Sequence, residues 1–212
     1  MARLHDRREA GEVLAARLAE YAGRPDGIVL ALPRGGVPVG RVIAEELRLP
    51  LDVFLVRKLG VPYQPEFAFG AIAEGGIRVL NRDVIAAVGL TWEQVERISI
   101  EEQAELERRA LAYRDGAPPA HLVGKTAILV DDGVATGSTM YAAVLALRQV
   151  EPDKTVVAAP VGAPEALAML RRVADDVVCP LTPDPFDAVG SWYEEFPQVS
   201  DEEVRASLSN VG

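Results

Sequence analysis

Cysteine is nearly absent from this chain. Cys179 is the only one, so no disulfide can form within it, and its apolar neighbours Val177, Val178 and Pro180 suit a buried thiol. Lysine is almost as scarce, at Lys58, Lys125 and Lys154 alone, and arginine carries the remaining positive charge. Cations as a whole are outnumbered: 22 Lys and Arg against 32 Asp and Glu give a formal net charge of −10. That balance argues against nucleic acid as the main partner, because a phosphate backbone is bound by clustered cations, but it leaves room for a small anion. The N-terminal stretch from Met1 to Glu9 lacks the apolar core of a signal peptide, and no run is apolar enough to span a bilayer. The expectation is a cytoplasmic protein without a membrane partner. The full Gly-x-x-x-x-Gly-Lys-Ser/Thr loop is missing, since Pro119 stands where its first glycine would precede Gly124-Lys125-Thr126, and so is Gly-x-Gly-x-x-Gly, which sets aside Walker-type nucleotide sites and dinucleotide sites. No repeat or low-complexity linker divides the 212 residues, so one domain is expected.

What is present centres on Ile128 to Met140. Thr126 to Val130 has the length and branching of a buried strand. Asp131 and Asp132 stand at its end, followed by a turn holding Gly133, Ala135, Thr136, Gly137, Ser138 and Thr139. Met140, Val144 and Leu147 then take up helical spacing. Backbone N–H groups at a helix N-terminus hold a phosphate, and loop hydroxyls add donors. Paired carboxylates accept hydrogen bonds from sugar hydroxyls or hold a divalent metal. An ordinary strand-to-helix turn would account for one Asp and one cap, not for both carboxylates and the whole cradle.

This segment resembles the motif that binds 5-phosphoribosyl 1-diphosphate (PRPP) in type I phosphoribosyltransferases. The resemblance implies an α/β fold in which a parallel sheet is flanked by helices, with a helical flap insertion and a small C-terminal hood. It places the core at about 1–80 and 120–180, the insertion at about 81–119 and the hood at about 181–212. It implies that Asp131 and Asp132 hold the ribose, directly or through Mg²⁺, and that Ala135, Thr136, Gly137, Ser138 and Thr139 cradle the 5′-phosphate. Leu32-Pro33-Arg34-Gly35-Gly36 follows the first core strand, Ile28 to Leu32, and looks like the family's pyrophosphate loop, with Arg34, Gly35 and Gly36 as its contacts. Lys58, preferred over Arg57, is expected just after a second core strand spanning Leu51 to Val56 and is assigned to pyrophosphate and catalysis.

The flanks are readable by pattern. Asp6 and Glu9 open a first helix with Ala10, Val13, Leu14, Leu18 and Tyr21 on one face. Glu74-Gly75-Gly76 lies between Phe67–Ala73 and Ile77–Leu80 as a hairpin signal. Thr91 and Gln94 cap a long charged helix in which Glu105 and Arg109 have ion-pair spacing. Arg108, Arg109 and Arg114 on that helix are further candidates for pyrophosphate. Pro164 suits the first position of a later helix. The tail offers Phe186, Asp187, Trp192, Tyr193 and Phe196. The resemblance makes it a hood over a nucleobase, with Phe186 or Trp192 stacking and Asp187 or Asp184 reading the ring edge.

Ala135 departs from the hypoxanthine-guanine pattern, which has a general-base Asp at that place. Adenine enzymes and some pyrimidine enzymes also carry Ala-Thr-Gly there, so catalysis is not excluded, but the acceptor is left open. Asp184, Asp187 and Glu66 are the carboxylates available for its proton. The implied activity is Mg²⁺-dependent transfer of the phosphoribosyl group from PRPP to a purine or pyrimidine base, with release of pyrophosphate, in a chain compatible with a homodimer. The competing class is a PRPP-sensing regulator. Such regulators usually carry a DNA-binding helix-turn-helix or a basic face, and this acidic chain shows neither.

Overall fold

The structure, a computed structural model, describes residues 3–62, 64–114 and 116–209, apart from the side chains of Pro65 and Glu66. Helix α1, Arg7–Arg17, starts at Asp6, whose carboxylate accepts the Glu9 N–H at 2.8 Å. Strand β1, Gly27–Ala31, is buried at every position and leads into α2, Gly36–Leu47. β2, Leu51–Val53, closes this first unit. The chain then leaves the main sheet. β3 (Val56–Val61), β4 (Gln64–Ala73) and β5 (Ile77–Leu80) form a separate antiparallel sheet, followed by α3 (Arg82–Ala87) and the 23-residue α4 (Trp92–Arg114). It returns as β6 (Thr126–Val130), α5 (Ser138–Arg148), β7 (Lys154–Ala158), α6 (Pro164–Leu170) and β8 (Asp176–Val178), and ends in α7 (Asp201–Ser209).

The main sheet has the order β2-β1-β6-β7-β8, all parallel. Both faces are covered, as parallel sheets require. Val29, Ile128, Val130, Val156 and Ala158 pack toward α1 and α2. Their strand neighbours Ile28, Leu30, Ala127, Leu129 and Val157 pack with Met140, Val144 and Leu147 of α5 on the other face. The strand order reverses direction between β1 and β6, which lie side by side. Ligands of open α/β sheets sit in the crevice at the strand ends of such a switch point, and the two glycine-bearing loops meet there.

The second core strand is shorter than its sequence suggests: it stops at Val53, and Arg57 and Lys58 lie inside β3 rather than after a core strand. The apolar run Val53-Phe54-Leu55-Val56 reads as one strand because the chain passes from the end of β2 to the start of β3 without surfacing, Val53, Phe54 and Leu55 being buried and Val56 partly so. A buried ion cluster fastens the excursion to the core. Arg114, at the end of α4, donates to Asp52 Oδ1 at 2.8 Å and to the Val53 carbonyl at 2.7 Å, and its Nη1 lies 2.6 Å from Glu74 Oε2. Arg114 is therefore a structural cation and is unavailable to pyrophosphate.

At the opposite end of the sheet Asp26 ties the approach of β1 to the start of β6. The Arg24 guanidinium, and after it the Thr126 hydroxyl, hold its carboxyl down at about 2. A carboxyl depressed in the folded state stabilises above its ordinary value of 3.8, and that contribution disappears as pH falls through about 2. Urea unfolding at stepped pH should show Asp26→Asn less stable than the parent at neutral pH, with the acid limb flattened so that the difference closes as pH falls between those values. A parallel limb in the variant would refute the assignment. Burial pushes the Cys179 thiol up to about 12, which leaves it a poor nucleophile, as its apolar neighbours suggest.

Candidate active site

The acidic pair emerges from the most protected strand. β6 is buried along its length, and the Asp131 N–H continues the ladder to the Ala158 carbonyl at 3.3 Å. Asp131 Oδ1 then accepts the N–H of Asp132 at 2.9 Å. Burial first, and the neighbouring Asp132 charge second, raise the Asp131 carboxyl well above the usual carboxylate range. Asp132 has a different environment. Its Oδ2 accepts Nε and Nη2 of Arg7 at 2.9 and 2.8 Å, and its carbonyl accepts the Tyr193 hydroxyl at 2.6 Å. Two adjacent carboxylates thus have unlike surroundings, one desolvated and one paired.

Gly133 to Thr139 forms the expected turn. The Val134 N–H bonds the Val161 carbonyl at 2.9 Å and anchors the loop to the next strand's turn. Gly137 adopts φ +74°, the left-handed conformation that swings the chain into α5. Ala135, Thr136 and Thr139 are exposed, and the Thr136 and Ser138 hydroxyls lie 3.1 Å apart. The first-turn N–H groups of α5 have no partner within the helix. Backbone and hydroxyl donors therefore converge at one helix N-terminus, and all five residues expected to hold a phosphate lie on this turn.

The second loop lies against the first. The Leu32 N–H donates to the Val130 carbonyl at 2.8 Å, and the Pro33–Arg34 peptide bond is cis. Gly35 sits so close to Asp132 that an added Cβ would lie 2.0 Å from Oδ2. Gly35→Ala is therefore expected to displace that carboxylate, and a ligand held by it should bind about 100-fold more weakly, the cost of an ångström-scale misplacement. Calorimetry with PRPP, the ligand that the resemblance implies, would measure it, and an unaffected Kd would show that the carboxylate moves without consequence. Arg34 points Nη1 toward Asp201 Oδ1 at 3.7 Å, and Asp201 also accepts the Tyr113 hydroxyl at 2.8 Å. Desolvation, reinforced by that carboxylate, lifts the Tyr113 phenol to about 12.

Lys58 reaches the same crevice from β3 and lines two adjoining cavities. One, of about 810 Å³, is bounded by Pro33, Arg57, Lys58, Arg97, Arg109 and Thr139. The other, about 590 Å³ and mainly apolar, lies between the β4–β5 hairpin and α5, with Phe67, Leu80, Ser138, Tyr141 and Met169 in its wall. Arg57 forms an ion pair with Glu102 of α4. Of the three α4 arginines singled out by sequence, Arg109 reaches the larger cavity while also pairing with Glu105 at 2.7 Å. Arg108 faces solvent beside the same Glu105. Arg97, which pattern does not distinguish from the other charges of α4, also lines that cavity.

The tail covers the acidic end of the site. Val189 is packed where a Gly133 side chain would stand, and Tyr193 is buried beneath the motif with its phenol raised by desolvation. Phe186 and Trp192 pack on the core cluster around α1, and Asp187 accepts the Ser191 hydroxyl at 3.1 Å. None of these three base-binding candidates lines either cavity at Lys58. Glu66 falls outside the described side chains. Nothing in the sequence singles out Arg7, because no spacing rule connects it to a carboxylate 125 positions away.

Comparison with known proteins agrees with this geometry. Residues 3–190 match the family model described as "Phosphoribosyl transferase domain". Two Mycobacterium tuberculosis proteins named "Putative phosphoribosyl transferase", MT0597 and Rv0571c, are each 48% identical over 206 residues, or 97% of this chain. The alignment occupies 46% of those proteins, so this chain spans about half the length of the relatives it matches. The crystal structure of TT1426 from Thermus thermophilus superposes with a TM-score of 0.89 at 44% identity, covering 97% of both chains. The AQ2163 protein from Aquifex aeolicus, at 11% identity and a TM-score of 0.53 over 87% of this chain and 78% of that one, shares the fold.

Proposed function

Because this chain belongs to the phosphoribosyl transferase family, we propose that it moves the 5-phosphoribosyl group of PRPP to a nitrogen of a purine or pyrimidine base and releases pyrophosphate. One observation carries the reading: the diphosphate-type loop and the acidic motif are in contact, Gly35 against the carboxylate of Asp132. A ligand joining a 5′-phosphate, a ribose and a diphosphate has the sequence of groups that these adjoining elements accept.

In this reading the Ala135–Thr139 turn holds the 5′-phosphate, and that remote binding energy orients the sugar. Asp131 and Asp132 take the ribose hydroxyls and favour the positive charge that develops at C1 as its bond to the diphosphate oxygen breaks. Arg34, Gly35, Gly36 and Lys58 receive the leaving diphosphate. The new bond joins C1 to the acceptor nitrogen, whose proton passes to a carboxylate or to water. Ala135 cannot accept it, and Asp184 and Asp187 are the tail carboxylates at hand.

Magnesium belongs to the proposal. Among the described residues no three His, Cys, Asp or Glu side chains gather into a protein cage. Two carboxylates beside a phosphate site nonetheless suit Mg²⁺, which takes one or two carboxylates and completes its shell with substrate phosphates and water. Asp131 and Asp132 would hold it, and it would neutralise charge on the diphosphate. The proposal extends to a cytoplasmic enzyme that acts as a homodimer. No described helix is long and apolar enough to cross a membrane, and Ile100 and Leu111, each about two-thirds exposed on α4, offer apolar surface to a second copy.

The deciding experiment incubates the protein with Mg–PRPP and a panel of purine and pyrimidine bases and reads pyrophosphate release. Release with one base or a small set is expected. PRPP binding without release for any base would favour the sensor class, and the absence of PRPP binding would overturn the site.

A further inference from the structure

Arg7 is closely held beside the motif. Its side chain is 11% exposed, with Nε and Nη2 on Asp132 Oδ2 and Nη1 donating to the Pro197 carbonyl at 2.7 Å. The guanidinium carbon lies 3.9 Å from the centroid of the Phe196 ring, which itself leans on Tyr193 at 4.8 Å. A planar cation seated on an aromatic face and spent on two oxygens has little freedom left. Its partner oxygen is equally constrained, since Asp132 Oδ2 is also the atom pressed against Gly35. One oxygen of Asp132 is therefore fixed between α1, the tail and the diphosphate-type loop. The other differs: no described donor bonds Oδ1, and it is not sealed from solvent.

We propose that Arg7 is a positioning residue of the donor site, pinning Asp132 through Oδ2 so that Oδ1 is presented, already oriented, to a ribose hydroxyl. The inference rests on the donor-site reading above and adds to it an element from outside the motif, the start of the N-terminal helix. Arg7 touches the carboxylate rather than the substrate, so its effect passes through Asp132. A competing arrangement, in which Arg7 must leave before the sugar can enter, makes the opposite prediction for affinity.

Calorimetry on the full chain separates these cases with three probes: Mg–PRPP, ribose 5-phosphate and inorganic pyrophosphate. Arg7→Met is expected to weaken PRPP and ribose 5-phosphate by about 10- to 100-fold, the usual cost of losing a group that orients a binding carboxylate. Pyrophosphate affinity should stay at the wild-type value. Arg7→Lys keeps the charge without the fork and should recover part of the loss. In an Asp132→Asn background Arg7→Met should add nothing further. Should Arg7→Met fail to fold, Phe196→Leu loosens the same guanidinium and should give the same pattern with a smaller amplitude. Unchanged or tighter binding of the two sugar phosphates overturns the proposal, as does an equal loss on all three probes, which marks general damage. Wild-type protein that binds neither sugar phosphate refutes the donor site itself, whereas normal wild-type binding with an unaffected variant refutes only the role of Arg7.

Discussion

A chain carrying both Asp131→Asn and Asp132→Asn should keep its fold and lose measurable affinity for Mg–PRPP. Asparagine preserves the volume of each side chain and its hydrogen-bonding reach, so β6 and its neighbours are undisturbed. What disappears is negative charge. A hydrogen bond to a charged group is worth about 1.5–3 kcal/mol, so two of them amount to about 3–6 kcal/mol, or about 10²–10⁴ in Kd. The loss of metal affinity adds to this if Mg²⁺ arrives with the diphosphate. The change at Asp132 has a second cost, because the largely buried Arg7 guanidinium is left facing an amide. Circular dichroism and a thermal melt establish that the variant is folded, and calorimetry then reads the binding. A folded double variant that binds PRPP as the parent does would remove the acidic pair from the site.

The largest stability effect is expected at Arg114, far from the motif. Arg114 and Glu74 are 7% and 9% exposed, and of the two carboxylates that flank the guanidinium Asp52 also accepts the Val53 and Ala120 N–H groups at 2.8 and 2.9 Å. Glu74 Oε1 is buried with no hydrogen bond, and burial, opposed by Arg114, already holds the Glu74 carboxyl above its usual range. Arg114→Leu would leave two desolvated acids side by side. Breaking a buried ion pair from one side costs about 3–5 kcal/mol, because the remaining charge is uncompensated. For a chain of this size that corresponds to about 6–20 °C in Tm. The deficit should shrink in acid. A carboxyl whose folded pKa is raised takes up its proton more readily in the folded state, so stability falls as pH rises through that value and recovers as pH drops. Thermal melts of both proteins between neutral pH and about pH 4 test the sign and the size. A variant that melts with the parent at neutral pH would show that the cluster contributes nothing net.

Why Arg114 resembles a ligand contact in the sequence, and why Arg7 does not, has the same physical origin. The acidic motif is local: a buried strand, two carboxylates, a left-handed glycine and a helix start follow one another, so Asp131 to Thr139 and their order are visible in the sequence. The Arg34–Gly36 loop is legible for the same reason. Capping boxes at Asp6 and Thr91 and the hairpin turn at Glu74–Gly76 are also governed by neighbours in the chain. Arg7 and Asp132, or Arg114 and Asp52, are brought together only by packing, and a lone arginine on a charged helix gives no sign of which carboxylate it will meet. The second core strand shows the limit in another way. Hydrophobicity continues from Val53 through Val56 while the chain passes from one sheet to another, so burial is evident but the partner is not. Phe186 and Trp192 are apolar enough for either a stacking platform or a packed tail, and their composition does not choose between the two.

The tail rests on the motif through the contacts of Val189 with Gly133 and of Tyr193 with the Asp132 carbonyl. The segment expected to govern acceptor choice is therefore in contact with the proposed donor site. Exchanging the C-terminal tail for that of a relative, a natural route to redirecting specificity, would unseat the Asp132 carboxylate at the same stroke. A graft intended to change the acceptor would have to carry Tyr193, Phe196 and Val189 across unchanged, or bring a matching N-terminal helix with it.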